Sequence, residues 1–203
     1  MANNHRLNDP RPFVQEKGGF ATQQLSSLAH TPAGRPSGIM SSITSMLGLH
    51  AGAGCHAPYY LIGNFVFAHF ILVPRSFKQY YGIDHNHAPR DDIAKYGDAA
   101  VQSGKITQRQ LNLIKRSSAA HSNRVENYSI FAAAAVLAVA AGVPNDVINA
   151  NCLLYSVASV AYGACYVLIE TTPLSLLRTL SWYAGGWACV RLFWKAGEAL
   201  NRR

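Results

Sequence analysis

Four apolar blocks, residues 57–74, 124–142, 147–169 and 174–196, constrain this chain more than any other feature. Each approaches the roughly 20 residues a helix needs to cross a hydrocarbon core, and buried helices of water-soluble proteins rarely run so long without a charged face. The blocks therefore predict an all-α membrane protein, a four-helix transmembrane bundle spanning residues 56–200. Residues 1–55, polar and thinly basic with scattered Pro, read as a disordered tail. The tail has no charged start followed by an apolar core, so the first block is expected to direct insertion itself.

A formal net charge of +8 invites a nucleic-acid reading, but the placement of the charge argues against it. Nine of the 18 Lys and Arg fall in residues 75–124, and the 141–149 connection has none. Under the positive-inside rule, residues 75–123 form a cytosolic loop and both termini lie across the membrane. That loop lacks the interleaved aromatics of a single-strand platform, so the bilayer, and no nucleic acid, is the expected partner. Four cysteines without paired spacing imply no disulfide framework. His85 and His87 flank Asn86 without a third ligand, and no metal is expected. In the first block His69 is expected to hydrogen-bond between helices.

From Thr107 to Gly142 the pattern is helical throughout, with Thr107 as N-cap and Gly142 then Pro144 closing the far end. On that helix Arg116, Ala119, Asn123, Glu126 and Ile130 follow spacings of three and four and so share one stripe. His121 and Arg124 lie off it. Glu126 stands at a hydrocarbon boundary, where an ionisable residue costs roughly 2.5–3.5 kcal/mol and usually serves a function. The third block carries a second stripe, Asn151, Tyr155, Ser159, Tyr162 and Tyr166. Taken alone, either stripe is equally a polar seam that fixes helix packing. Thr172 is expected to cap the fourth helix, with Pro173 at its first position and Arg178 on its second turn. Topology then brings Asn123, Glu126, Tyr162, Tyr166 and Arg178 into the cytosolic leaflet, the convergence a polar ligand site requires.

These residues resemble the MAPEG family, the membrane-associated proteins of eicosanoid and glutathione metabolism, most closely its fungal microsomal glutathione-transferase-like members. The matching segments are AAHSNRVENYSIFAAAAVLA (119–138), VAYGACYVLIETTPLSLLRTLSW (160–182), YAGGWACVRLF (183–193) and NHAPRDD (86–92). The resemblance implies a homotrimer of four-span protomers, in the endoplasmic reticulum or the mitochondrial outer membrane. Glutathione would be co-substrate, bound between subunits near the cytosolic face, and a lipophilic electrophile its acceptor. It places Asn123 and Glu126 on the glutathione backbone, Tyr166 on the family tyrosine and Arg178 on the arginine facing the thiol. Arg116, Tyr162 and Thr179 complete the expected site, with Arg116 or Arg124 meeting the glutathione carboxylates. This chain departs from the pattern at Ala119 and Ser122, where some members carry arginines. Ser129 stands in place of a common Pro, and Trp182 in place of a tyrosine of isomerase-type members. The missing arginines leave room for a second expectation, a catalytically silent membrane protein that binds a ligand or serves assembly.

Overall fold

The computed structural model describes residues 38–171 and 173–202. The disorder expected of residues 1–37 and the capping role expected of Thr172 lie outside the described residues. Among the described residues the helices are α1 Ile39–Met46, α2 Ala57–Val66, α3 Pro74–Tyr80, α4 Asp92–Gln102, α5 Gln108–Ala140, α6 Asn145–Leu168 and α7 Ser175–Leu200. A π-helical turn, Phe67–Ile71, directly follows α2.

Helix α5 has the limits its sequence predicts. The Thr107 side chain accepts the Gln110 amide N–H while the Gln110 side chain takes the Thr107 N–H, a capping box that satisfies two orphan donors. The helix ends before Gly142, whose φ of 75° is open to glycine at no steric penalty. The short connection to Asn145 turns α6 back along α5.

Helices α5, α6 and α7 pack on one another, and α2 lies against α5 and α6. Ala134, Ala135 and Ala138 of α5 and Ala188 and Ala196 of α7 are buried there with Ile148, Cys152 and Leu192. Such small side chains let helix backbones approach closely, the main source of packing energy where the solvent is itself apolar. Phe131 and Tyr155 stack across α5 and α6 with ring centres 3.9 Å apart. All four cysteines are free thiols.

Among the described residues two stretches, Ala57–Tyr80 and Asn145–Leu168, are long and apolar enough to cross a membrane. The four expected spans are thus unequal: α5 is apolar only in its second half, and α7 carries Arg178, Arg191 and Lys195. Leu180, Tyr183, Trp187, Val190 and Trp194 of α7 nevertheless face outward, each more than half exposed. A contiguous apolar surface of that kind calls for lipid or another chain to cover it.

The first span is bent. The Leu72 N–H bonds the Phe67 carbonyl at 3.0 Å, and Val73 is extended because Pro74 excludes the helical region for the residue before it. The π turn leaves the Ala68 carbonyl without its usual donor, and the Nδ1–H of His121 on α5 supplies one at 3.0 Å. The expectation for His69 is corrected: its Nδ1–H donates to Phe65 O within its own helix, at 3.1 Å. Asn64 makes the interhelical bond instead, donating from Nδ2 to Ser156 Oγ at 2.7 Å.

Within residues 75–123, expected as a cytosolic loop that is helical from Thr107 on, two further helices, α3 and α4, precede α5. Helices α3 and α4 and the first half of α5 close on a second small core of Ile83, Ala100, Ile106, Leu111 and Ile114. Each helix there buries one narrow stripe beneath a charged surface, so no single segment stands out as apolar. Lys78 and Asp92, 4% and 0% exposed, pair at 2.8 Å. Lys78 also donates to the Pro89 carbonyl, and the His85 Nδ1–H to Asp92 at 3.1 Å. Burial pushes the Asp92 carboxyl up, but the Lys78 and His85 hydrogen bonds outweigh it and hold the group below its usual range.

The tail expectation is corrected over residues 38–54. After α1 the chain returns to α6, where the Asn149 Nδ2 donates to the Gly48 and Gly54 carbonyls at 3.0 and 2.9 Å. Its Oδ1 accepts the His56 N–H at 2.9 Å. Gly48 has φ +68°, and a Cβ there would meet Asn149 Nδ2 at 2.4 Å. At the other end α7 begins at Ser175, so Pro173 precedes the helix and Arg178 lies in its first turn.

Candidate functional site

The polar stripe of α6 is met from two sides. From α5, the Asn123 Nδ2 donates to the Tyr162 hydroxyl oxygen at 2.6 Å. The Tyr162 and Tyr166 rings then lie 5.0 Å apart. From the first turn of α7, the Arg178 guanidinium carbon sits 4.6 Å from the centre of the Tyr166 ring, within the range of a cation–π contact. Asn123, Tyr162, Arg178, Thr179, Trp182 and Tyr183 line an open recess of about 170 Å³.

The chemistry of that recess is donor-rich. With Asn123 filling an acceptor position on Tyr162, the phenolic O–H is the donor left, shared with the neighbouring Tyr166 hydroxyl. Arg178 adds a permanent cation, and Thr179 a hydroxyl. An anionic sulfur or oxygen finds donors on three helices, while Trp182 and Tyr183 form an apolar wall beside them.

Of the seven expected site residues, Asn123, Tyr162, Tyr166, Arg178 and Thr179 come together, and two do not join them. Arg116 donates from Nε to the Tyr166 carbonyl at 3.1 Å and pairs with Glu170 at 3.0 Å. Arg109 closes the same clamp on Glu170 at 3.2 Å. Hydrogen bonds from Arg109 and then Arg116 hold the Glu170 carboxyl below its ordinary range, so the charge of Arg116 is already answered. Glu126 opens on another recess, about 550 Å³, shared with Arg75, Lys78, Arg90, His121 and Ser122. The expected stripe is therefore split: Ala119, Glu126 and Ile130 are exposed on the outer face of α5, while Arg116 and Asn123 are half-buried and bond to α6.

Two residues outside the expected site carry weight. Arg90 is exposed in the Glu126 recess and belongs to no ion pair among the described residues. Arg124, set aside as lying off the stripe, is only 4% exposed. Its guanidinium lies 5.4 Å from the Tyr155 ring centre and 5.1 Å from that of Tyr162, and it donates to Ser159 Oγ at 2.5 Å. A signal existed, since the Tyr155, Ser159 and Tyr162 stripe needs a partner helix and Arg124 is the long polar side chain that reaches it. Among the described residues no group of three or more His, Cys, Asp and Glu is placed to hold a metal ion. No curated protein and no solved structure matches this chain. The model of one family does, over residues 59–197, and its description is the MAPEG family.

Proposed function

The chain belongs to the MAPEG family, and from that premise we propose that it is a membrane-bound glutathione transferase with peroxidase capacity. Its acceptors are lipophilic electrophiles or lipid hydroperoxides that arrive through the bilayer. The observation that carries this reading is the approach of Arg178, Tyr166, Tyr162 and Asn123 from three helices to one recess.

Glutathione carries a thiol with a pKa near 8.5, and each unit of lowering requires about 1.4 kcal/mol of differential stabilisation of the thiolate. Arg178 supplies that stabilisation as a fixed cation, and the Tyr162 O–H as a hydrogen bond formed only when the sulfur is charged. The thiol proton leaves to water. The thiolate then forms a carbon–sulfur bond while the leaving group departs with its electron pair. With a hydroperoxide, the sulfur takes the distal oxygen and releases the alcohol, and a second glutathione reduces the sulfenic acid to give disulfide and water. At the other end of the molecule, Glu126 receives the glutathione ammonium and Arg90 its carboxylate.

In this reading the working unit is a homotrimer, and the exposed α5 face bearing Glu126 lies against a neighbouring protomer, so that the two recesses contribute to one site. The charged segment 75–123 faces the cytosol, in the endoplasmic reticulum or the mitochondrial outer membrane. One specific observation favours a second reading, a silent ligand-binding or assembly module: Arg116, expected in the glutathione site, is engaged by Glu170 instead. Equilibrium binding of glutathione to the purified protein in nanodiscs, followed by turnover with a panel of halogenated aromatics and hydroperoxides, separates the readings. Binding with turnover supports the transferase. Binding without turnover supports the silent module, and no binding removes both glutathione roles.

A further inference from the structure

Arg124 is a charge without a counter-ion. It lies midway along α5, where the apolar half of that helix begins, is 4% exposed, and no carboxylate among the described residues stands within ion-pairing distance. Its Nε atom is buried with no hydrogen-bond partner. What surrounds it comes from two helices: Tyr155, Ser159 and Tyr162 of α6, and Cys189 of α7 within electrostatic reach. A buried cation in that state is expensive, because ring faces and one hydroxyl replace only part of the lost hydration. Packing alone gives no reason for it, since an unbranched apolar side chain fills the same volume without the penalty.

The geometry supplies a reason. Arg124 faces Tyr162, Tyr162 neighbours Tyr166, and Tyr166 faces Arg178, so two cations bracket a pair of phenols. Asn123 donates to the Tyr162 hydroxyl oxygen from the recess side. Positive charge over one phenol and an amide donor on its oxygen both draw electron density from the O–H bond, and both make that hydroxyl a stronger donor.

We propose that Arg124 is a positioning residue for the thiol site: held behind Tyr162, it keeps the Tyr162 hydroxyl polarised toward an anion in the recess. Its own atoms never touch that anion. The role rests on the glutathione reading above and assigns to this site a second cation that acts through a phenol rather than directly. The groups that face Tyr162 and set its behaviour are Arg124 and Asn123 from α5, Tyr166 from α6 and Arg178 from α7. No bond is made or broken by Arg124; the thiol proton leaves to water as before.

The test is a pH titration of bound glutathione, followed by thiolate absorbance, in the full-length wild type and in Arg124→Met, Arg124→Lys, Tyr162→Phe and Arg124→Met/Tyr162→Phe, all in nanodiscs. The expected result is a thiolate pKa higher by about one unit in Arg124→Met, a tenfold smaller ratio of thiolate to thiol at a given pH, with glutathione affinity changed less than about threefold. Arg124→Lys recovers most of the shift, and the double variant titrates like Tyr162→Phe. An unshifted titration in Arg124→Met, or additive shifts in the double variant, overturns the proposal. If Arg124→Met does not assemble, Arg124→Gln and Tyr162→Phe decide it: a wild-type titration in Tyr162→Phe overturns the role of Arg124. A wild type that forms no thiolate at all is a different failure and removes the glutathione reading itself.

Discussion

Arg178 and Tyr166 meet as cation and ring, 4.6 Å from guanidinium carbon to ring centre, although they come from different helices joined by a non-helical turn. The contact sets where the guanidinium sits relative to the recess. Replacing Tyr166 by Leu removes the ring face, worth about 0.5–2 kcal/mol for a partly desolvated pair. The expected outcome is a threefold to thirtyfold loss of kcat/KM for conjugation, with Tyr166→Phe close to wild type. Steady-state kinetics with glutathione varied checks it, and equal losses in both variants point to the hydroxyl instead.

Arg90 shares the Glu126 recess and has no ion-pair partner among the described residues. If it takes a glutathione carboxylate, Arg90→Ala loses a charge-assisted hydrogen bond worth about 1.5–3 kcal/mol. KM for glutathione then rises at least tenfold with kcat within about twofold, the signature of binding lost equally in ground and transition states. Glu126→Gln behaves the same way. A fall in kcat at unchanged KM excludes the assignment for either residue.

Asp92 makes stability depend on acid. Its carboxyl is held below the unfolded value by Lys78 and His85, so its contribution is whole above the unfolded carboxylate pKa of about 4. It is lost as pH falls from there through the folded value. Asp92→Asn leaves the buried Lys78 with Asp84, at 3.7 Å, as its remaining carboxylate, and destabilisation at neutral pH by about 1–3 kcal/mol follows. Thermal unfolding in nanodiscs between neutral pH and pH 3 checks both points: the wild type loses stability below pH 4, and Asp92→Asn starts low and falls less steeply.

Gly48→Ala strains two things at once, a left-handed φ of +68° and a contact with Asn149 Nδ2. A loss of about 1–3 kcal/mol is expected. Because Gly48 and the recess at Arg178 lie against opposite ends of α6, glutathione kinetics of the folded fraction stay at wild-type values. Melting temperature and kinetics on one preparation test this, and altered KM at normal stability contradicts it.

What the sequence made legible was local. The limits of α5 followed from the Thr107 and Gln110 capping box and from Gly142, each acting within a turn of where it stands. The meeting of Asn123, Tyr162, Tyr166 and Arg178 followed from topology, which equates depth in antiparallel helices. Direction around α5 was harder. Asn123 and Arg124 are neighbours in sequence, yet about 100° apart on the helix, and the packing of α6 decides which is buried. Glu126 went to another recess because that face of α5 meets α3 and α4. Those helices were invisible as apolar blocks, since Leu111 and Ile114 bury against Ile83 and Ile106 beneath charged surfaces.

The central claim is that Arg178 stabilises a glutathione thiolate, and thiolate absorbance measured by stopped flow on mixing glutathione with wild type and Arg178→Ala tests it most directly. The account predicts a rapid thiolate signal in the wild type and its loss in Arg178→Ala, with glutathione still bound and conjugation down by about 10²–10³. A full thiolate signal in Arg178→Ala contradicts it.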